Sequence, residues 1–281
     1  MKNQRTGPRS GGFAFSELLA IIVIMLLLGL VVLPAPAKAG RLNHSTLCLF
    51  NKKALMVACG LYLDDNHQQF PGMLQGNMAQ GGAGFSSGFA PWALGWLDWT
   101  TSPDNTNANF LTNSKYSSLA RYLGFSQMVF KCPADGYLSD SQKGKGWTER
   151  VRSIGGDGVI GQGNLDAGPF DPTFYKHVTK LGDLQFPSPS QCWMYADEHP
   201  DSINDPLIIP PLADRFVDQL GNYHDGSCAL VFVDGHTELY RWKTPQVRSL
   251  SVRFGPNFAP NGTNNFDINW VRSRTPHQAG P

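Results

Sequence analysis

The chain has 281 residues, which suits one folded domain of ordinary size plus a short terminal segment. Its formal net charge of +1 gives no electrostatic basis for binding nucleic acid. With 30 Gly, 20 Pro and only 16% charged residues, the composition argues against a helical bundle and favours a loop-rich, mostly β domain.

An apolar segment covers residues 13–33 near the amino terminus. As a helix, its 21 residues would extend about 30 Å, the thickness of one bilayer core. The residues before it include Lys2, Arg5 and Arg9 and no acid, so the positive-inside rule places the amino terminus in the cytoplasm. The sequence therefore predicts a single-pass protein of the inner (cytoplasmic) membrane, whose carboxy-terminal domain is periplasmic or extracellular.

One carboxylate, Glu17, interrupts this apolar segment five residues after Gly12. An ionisable side chain costs roughly 2.5–3.5 kcal/mol at the centre of a membrane helix, and less near its end, so its presence calls for a functional reason. Gly12 lies directly before the apolar run, Phe13 is its first residue and Glu17 is its fifth. This arrangement resembles the processing site of type IV prepilins and type II secretion pseudopilins.

This resemblance implies a role for each of the three residues. Gly12 would end a leader, residues 1–12, that a prepilin peptidase and N-methyltransferase removes. Phe13 would become the new amino terminus and would be methylated. Glu17 would pair with the terminal amine of another pilin-like subunit, identical or different, and set the axial register of a filament.

Two simpler interpretations of the same segment remain open. A plain signal anchor would explain the basic flank and the length but not Glu17. An ordinary secretory signal would be cleaved after Ala37-Lys38-Ala39, which would release a chain beginning at Gly40. The apolar run is longer than the usual core of such a signal, about 7–15 residues, and contains an acid.

A helical pattern resumes after Pro34 and Pro36. Apolar residues recur at Leu42, Leu49, Met56 and Leu63, and other positions widen the same face: Cys48, Leu55, Cys59 and Tyr62. The pattern predicts an amphipathic helix over residues 34–66 that ends near Asp64-Asp65-Asn66 and packs on a sheet.

Three features of the middle of the chain have a structural and a functional interpretation. Trp92, Trp96 and Trp99 predict a core patch under a long loop, or alternatively a sugar-stacking platform. The segment 130–136, which includes Cys132, predicts a strand that ends in a turn. The spacing of Gly156, Gly158 and Gly161 matches a dinucleotide-binding loop, but a loop-like sequence follows it instead of a helix, so we reject that interpretation.

The carboxy-terminal third predicts three strands. Residues 191–197 alternate like a strand, residues 228–233 form a second, and residues 236–240 would be its hairpin partner across the turn at Asp234-Gly235. His224 precedes that Asp-Gly pair by nine intervening residues. This spacing is similar to the H-X9-DG signature of a family of pilin-like proteins, so two motifs in the expected order cover most of the chain.

Acidic and imidazole side chains are dense in this region, and they allow a second class of function. A metal-dependent, membrane-anchored hydrolase could use two sets of these side chains. They are the imidazoles of His199, His224 and His236 and the carboxylates of Asp197, Glu198, Asp201, Asp225 and Asp234. We favour the alternative in which these side chains cap turns and strand ends. Some pseudopilins bind calcium near this loop, and the oxygen ligands here would be Asp197, Asp201, Asn204 and Asp205.

Five cysteines in an exported chain suggest a disulfide. Cys48 and Cys59 are too far apart on one helix to pair, at about 16 Å. Cys192 and Cys228, on two predicted strands, form the best candidate bridge, and Cys132 could instead join Cys48 or Cys59.

Together these features predict an α+β, pilin-like fold: a long N-terminal transmembrane and amphipathic helix packed on an antiparallel β-sheet with long loops. The predicted segments are a leader (1–12), a transmembrane helix (13–33), its amphipathic continuation (34–66) and a β domain (67–281). The predicted function is that of a structural subunit of a type IV pilus or a secretion pseudopilus. That function requires no catalytic residue and no cofactor. The alternatives are the hydrolase and a carbohydrate-binding surface protein.

Overall fold

The computed structural model describes residues 15–32, 36–80, 90–162, 171–256, 258 and 265–278, with the backbone alone described at 28–32 and 36–43. The chain divides into two compact units, Met1–Leu42 and Asn43–Pro281. The predicted processing residues Gly12 and Phe13 lie outside the described residues. Glu17 is described, and it lies in the first turn of a helix.

Two long helices occupy the amino-terminal part of the chain: α1, Phe15–Val32, and α2, Pro36–Asp65. Every described side chain of α1, from Phe15 to Leu27, is exposed, and this stretch is a short apolar helix. Among the described residues, only His44–Asp65 is long and apolar enough to cross a membrane, and 44% of it is buried. Since Lys52 on that stretch is fully buried, His44–Asp65 is better explained as the core helix of the larger unit.

The predicted periodicity of α2 is confirmed from Cys48 to Leu63, with Leu49 half-buried, whereas the side chain of Leu42 lies outside the described residues. Its buried side chains lie on one face of the helix: Cys48, Leu55, Met56, Cys59, Tyr62 and Leu63. The helix ends at Asp65, as expected, because His67 and Gln68 adopt positive φ angles of 54° and 61°. The Gln68 N–H then donates to the Leu63 carbonyl at 2.8 Å, which satisfies one of the last helical acceptors.

Five strands form one sheet in the larger unit. They are β1 (Ile154–Asp157), β2 (Trp193–Asp197), β3 (Leu207–Ile208), β4 (Ser227–Phe232) and β5 (Thr237–Arg241), in the spatial order β3-β1-β2-β4-β5. The three predicted strands are therefore confirmed as β2, β4 and β5. The sheet is mixed and not fully antiparallel as predicted, because β1 and β3 pair in parallel.

Short helices fill the connections. They are α3 (Asn109–Thr112), α4 (Asp140–Gly144), α5 (Pro245–Arg248), α6 (Phe266–Arg272) and the 3-10 turns Gly76–Met78, Pro103–Thr106, Ala120–Leu123, Met128–Phe130 and Leu181–Asp183. The strand predicted at 130–136 is wrong. Cys132 lies in a turn, where its N–H donates to the Ser153 hydroxyl at 2.7 Å and its carbonyl accepts from the Asp135 N–H at 3.0 Å.

The two faces of the sheet belong to two hydrophobic cores. Tyr195 and Val231 pack in the same core as α2, whereas Trp193 and Leu230 belong to a second core with residues of α6. A bulge between Trp193 and Tyr195 shifts the alternation of β2 at this point. Its consequence is that Asp197, at the end of β2, lies on the α2 side of the sheet, where it meets Lys52.

The glycines with dinucleotide-binding spacing serve close packing. A Cβ at Gly156 would lie 2.6 Å from the Met73 sulfur, and one at Gly158 would lie 2.8 Å from the Ile208 carbonyl oxygen. Gly156 itself lies within β1. These residues are therefore glycines because neighbouring chain segments approach too closely for a side chain.

Of the three clustered tryptophans, Trp92 is a core residue. It is fully buried, its ring stacks on Phe130 at 5.7 Å and contacts Tyr195 at 4.7 Å, and its N–H donates to the Pro206 carbonyl at 2.9 Å. Trp96 and Trp99 are half-buried, and the Arg150 guanidinium covers the Trp99 ring at 4.0 Å. This packing supports the core interpretation of the cluster and leaves Trp92 no face for a sugar.

Candidate functional site

Four polar side chains converge inside the larger unit from four separate elements. Cys48 comes from α2, Cys132 from the turn after Met128–Phe130, Asp197 from the end of β2 and His224 from just before β4. Their possible ligand atoms all lie within 4.8 Å of one another, and all four residues are buried. We refer to these four residues as the Cys/His/Asp cluster.

The individual distances show a compact arrangement of donors. The Cys48 Sγ lies 3.4 Å from each Asp197 carboxylate oxygen. The His224 Nε2 lies 3.3 Å from the Cys132 Sγ and 3.6 Å from the Asp197 Oδ2. Two sulfurs, one imidazole nitrogen and one carboxylate oxygen therefore face a common point.

A second layer of polar groups fixes the orientation of the cluster. The Ser45 hydroxyl lies 3.2 Å from the His224 Nδ1, which leaves Nε2 directed at the cluster. The Ala229 N–H donates to the Asp197 Oδ2 at 3.2 Å. Bonds of this kind to a histidine or carboxylate are typical of side chains that are held in one orientation for ligation.

Lys52 adds a fully buried positive charge to this layer. Its Nζ donates to the Asp197 Oδ1 at 2.6 Å and to the Cys48 Sγ at 3.1 Å. Since Lys52 follows Cys48 by four residues, both side chains project from the same face of α2. The ammonium compensates a carboxylate that is itself fully buried.

These neighbours shift the ionisation of the cluster. Burial alone would raise the pKa of the Cys48 thiol, but the hydrogen bond from Cys132 and the charge of Lys52 lower it to about 6. Burial would lower the pKa of His224, yet its hydrogen bonds with Asp197 and Cys48 raise it to about 9. Burial and the hydrogen bond with Cys48 raise the pKa of Cys132. For Asp197, the Lys52 charge outweighs burial and lowers the pKa.

Three kinds of chemistry use such a set of groups: metal ligation, a Cys48–Cys132 disulfide, or a thiolate nucleophile paired with an imidazolium. A nucleophile must reach its substrate, and a catalytic metal keeps an open coordination position. All four side chains are closed off from solvent. This closure argues against a nucleophile and a catalytic metal, and it is compatible with a closed metal site of four protein ligands or with a disulfide.

The H-X9-DG signature divides between the two ends of β4. His224 belongs to the Cys/His/Asp cluster at one end. Asp234 and Gly235 form the turn before β5 at the other end, where the Asp234 Oδ1 accepts from the His236 N–H at 3.0 Å and Gly235 has a φ of 88°. Lys53 of α2 donates to the Gly235 carbonyl at 2.6 Å, so α2 contacts both ends of β4.

The side chains suggested for calcium do not come together. The Asp201 carboxylate accepts from the Trp99 and Arg253 N–H groups, and the Asp205 carboxylate accepts from the Gly76 N–H at 2.9 Å. The Asn204 carbonyl accepts from Arg152, and Asp197 belongs to the Cys/His/Asp cluster. Within the described ranges, that cluster is the one group of three or more His, Cys, Asp or Glu ligands that converges.

The set suggested for a hydrolase is dispersed in the same way. His224 and Asp197 meet in the buried cluster, whereas His236 pairs with Asp234 at 2.7 Å on the surface and His199 accepts from the Asp201 N–H. Asp234 does act as a turn cap through its bond to the His236 N–H.

The predicted Cys192–Cys228 disulfide is wrong. All five cysteines, each in a described segment, are free thiols. Cys192 accepts from the Val233 N–H at one end of the antiparallel pair, whereas Cys228 lies beside Asp197 at the other end. The register separates them by about five residues, or roughly 16 Å, whereas bridged α-carbons lie within about 7 Å.

The sequence suggested His224 and Asp197 but gave no reason to join them with Cys48, Cys132 and Lys52. A Cys and a Lys four residues apart on a core face were the available signal, since a lysine on such a face must find a buried partner.

Comparison of the chain with protein-family models, with curated proteins and with solved structures gives no match.

Proposed function

We propose that this protein is a pilin-like subunit of the inner membrane that is processed before Phe13 and assembles with other pilin-like subunits. The observation that carries the proposal is the helix α1. From Phe15 to Leu27 it presents apolar side chains outward, and Glu17 is the one charged side chain in this stretch. Such a surface suits lipid and helix neighbours, and an ionisable side chain at this depth calls for a functional reason, which pairing with a neighbouring subunit would supply.

The outer face of α2 supports the same proposal. Four large apolar side chains on this helix are exposed: Leu47 (42%), Phe50 (65%), Val57 (52%) and Leu61 (48%). Their spacing of three, seven and four residues places them on one stripe, the pattern of a helix that packs on another helix. A filament of identical or related subunits would cover this stripe, and the membrane would cover α1 before assembly.

The larger unit fits the role of a domain carried by such a helix. The second half of α2 belongs to its core, so the helix is held firmly by the domain. The partners that the proposal requires are a prepilin peptidase and N-methyltransferase and neighbouring subunits, and nothing in it requires catalysis by this chain.

Substitution of Glu17 tests the proposal. We expect Glu17→Val to insert into the membrane at the wild-type level, because removal of a charge makes the apolar segment easier to insert. Incorporation into filaments should fall by tenfold or more, because the amine of the neighbouring subunit loses its partner. Quantitative immunoblotting of membrane and sheared-filament fractions would measure both quantities.

The neighbouring substitution Ser16→Ala is the matched control and should assemble normally. Glu17→Gln keeps the shape and loses the charge, so it should fail in the same way as Glu17→Val. Wild-type incorporation of both Glu17 variants would contradict the assembly role of this carboxylate.

A further inference from the structure

We propose that Cys48, Cys132, Asp197 and His224 bind one zinc ion in a closed, tetrahedral, structural site. The ligand set of two sulfurs, one imidazole nitrogen and one carboxylate oxygen is of the kind that selects zinc over calcium or magnesium, which prefer oxygen alone. The inference concerns the larger unit only, so it stands or fails independently of filament assembly.

The spacing of the donor atoms matches the size of such a site. With zinc bond lengths to sulfur, nitrogen and oxygen, tetrahedral geometry places a sulfur and a nitrogen or oxygen ligand about 3.5 Å apart, and a nitrogen and an oxygen about 3.3 Å apart. The corresponding distances are 3.4 Å for Cys48 to Asp197, 3.3 Å for Cys132 to His224 and 3.6 Å for His224 to Asp197. No ligand has to move by more than a few tenths of an ångström along these three edges.

The charges also balance when zinc is bound. Two thiolates and the Asp197 carboxylate are three negative charges, and Zn²⁺ with the Lys52 ammonium supplies three positive charges around a neutral His224. Ligation requires thiolates and a neutral imidazole, so zinc binding would release to solvent the protons that the two cysteines and His224 still carry. Lys52, 3.1 Å from the Cys48 Sγ and 2.6 Å from the Asp197 Oδ1, then serves as an outer partner to two ligands.

The four ligands come from elements that are distant in sequence. Cys48 and Asp197 are 149 residues apart, and Cys132 and His224 are 92 residues apart. An ion held by all four would therefore tie α2, the turn at Cys132 and the strands β2 and β4 into one unit.

The test is metal analysis of the full-length protein, purified in detergent from cells and dialysed without chelator. We expect one zinc per chain in the wild type and less than a tenth of that in Cys48→Ser. The matched control is Cys59→Ser, since Cys59 is also a buried cysteine of α2 but lies outside the cluster. That variant should keep its zinc even if it loses stability.

Two further measurements keep the test decisive if Cys48→Ser misfolds. Ser45→Ala should raise the zinc Kd of the folded protein by about tenfold, because loss of a histidine's outer partner costs about 10–100-fold in affinity. Cobalt added to the metal-free wild type should give the visible absorption bands of a tetrahedral thiolate complex. A protein without zinc that fails to bind added zinc or cobalt, or a Cys48–Cys132 disulfide in non-reduced peptides, would overturn the proposal.

Discussion

Replacement of Lys52 by methionine is expected to lower the free energy of unfolding of the larger unit by about 3–5 kcal/mol. The substitution removes the cation that lies 2.6 Å from the Asp197 carboxylate, and neither side chain has access to solvent. The buried carboxylate would then keep the His224 imidazole, 3.6 Å from its Oδ2, as its remaining cationic protein partner. Loss of the closer cation still costs more than the lost attraction alone, because part of the buried charge is left without compensation. Denaturant unfolding monitored by tryptophan fluorescence would measure the change.

Lys53→Met is the matched control, one position further along α2. Lys53 is exposed and donates a single hydrogen bond, to Gly235, so its loss should cost about 1 kcal/mol. The double variant Lys52→Met with Asp197→Asn should recover part of the loss, because it removes the uncompensated charge. Equal losses in the two lysine variants would show that Asp197 does not depend on Lys52.

Replacement of Trp92 by alanine is the second substitution with a large expected effect, about 3–5 kcal/mol. The indole is fully buried between Phe130 and Tyr195, so its removal leaves a cavity. It also removes one of two donors to the Pro206 carbonyl, which keeps its bond from the Gly156 N–H at 3.0 Å. Trp92→Phe should lose less, because a ring still fills part of the space. The same unfolding measurement would test both variants.

Trp92 also separates two interpretations of the tryptophan cluster. The core interpretation predicts a loss of stability in Trp92→Ala, whereas a sugar-stacking platform predicts a loss of glycan binding at unchanged stability. Trp96→Ala, at a half-buried position, serves as the control for local perturbation.

Local patterns in the sequence were sufficient to predict α2 and the β4–β5 hairpin. A helix shows its buried face at a fixed spacing, and Cys48, Leu55 and Cys59 follow that spacing. The hairpin turn needs a residue with positive φ, and Asp234-Gly235 supplies one at Gly235. In both cases the determining residues are neighbours in the chain.

The Cys/His/Asp cluster could not be predicted in this way because its members are brought together only by the tertiary fold. Cys132 reaches it from a turn that the pattern of residues 130–136 had suggested to be a strand. The bulge in β2 and the strand register decide where Asp197, Cys192 and Cys228 lie, and neither is visible in the sequence. The parallel pairing of β1 with the two-residue strand β3 is equally non-local.

The identity of the mature amino terminus decides whether this chain is a processed pilin-like subunit. Mass spectrometry of the terminal peptide from native membranes identifies that terminus. The proposal predicts a peptide that begins at Phe13 and carries a methylated amine. A terminus at Gly40, which ordinary secretion would produce, or an uncut Met1, which a plain signal anchor would retain, would contradict it.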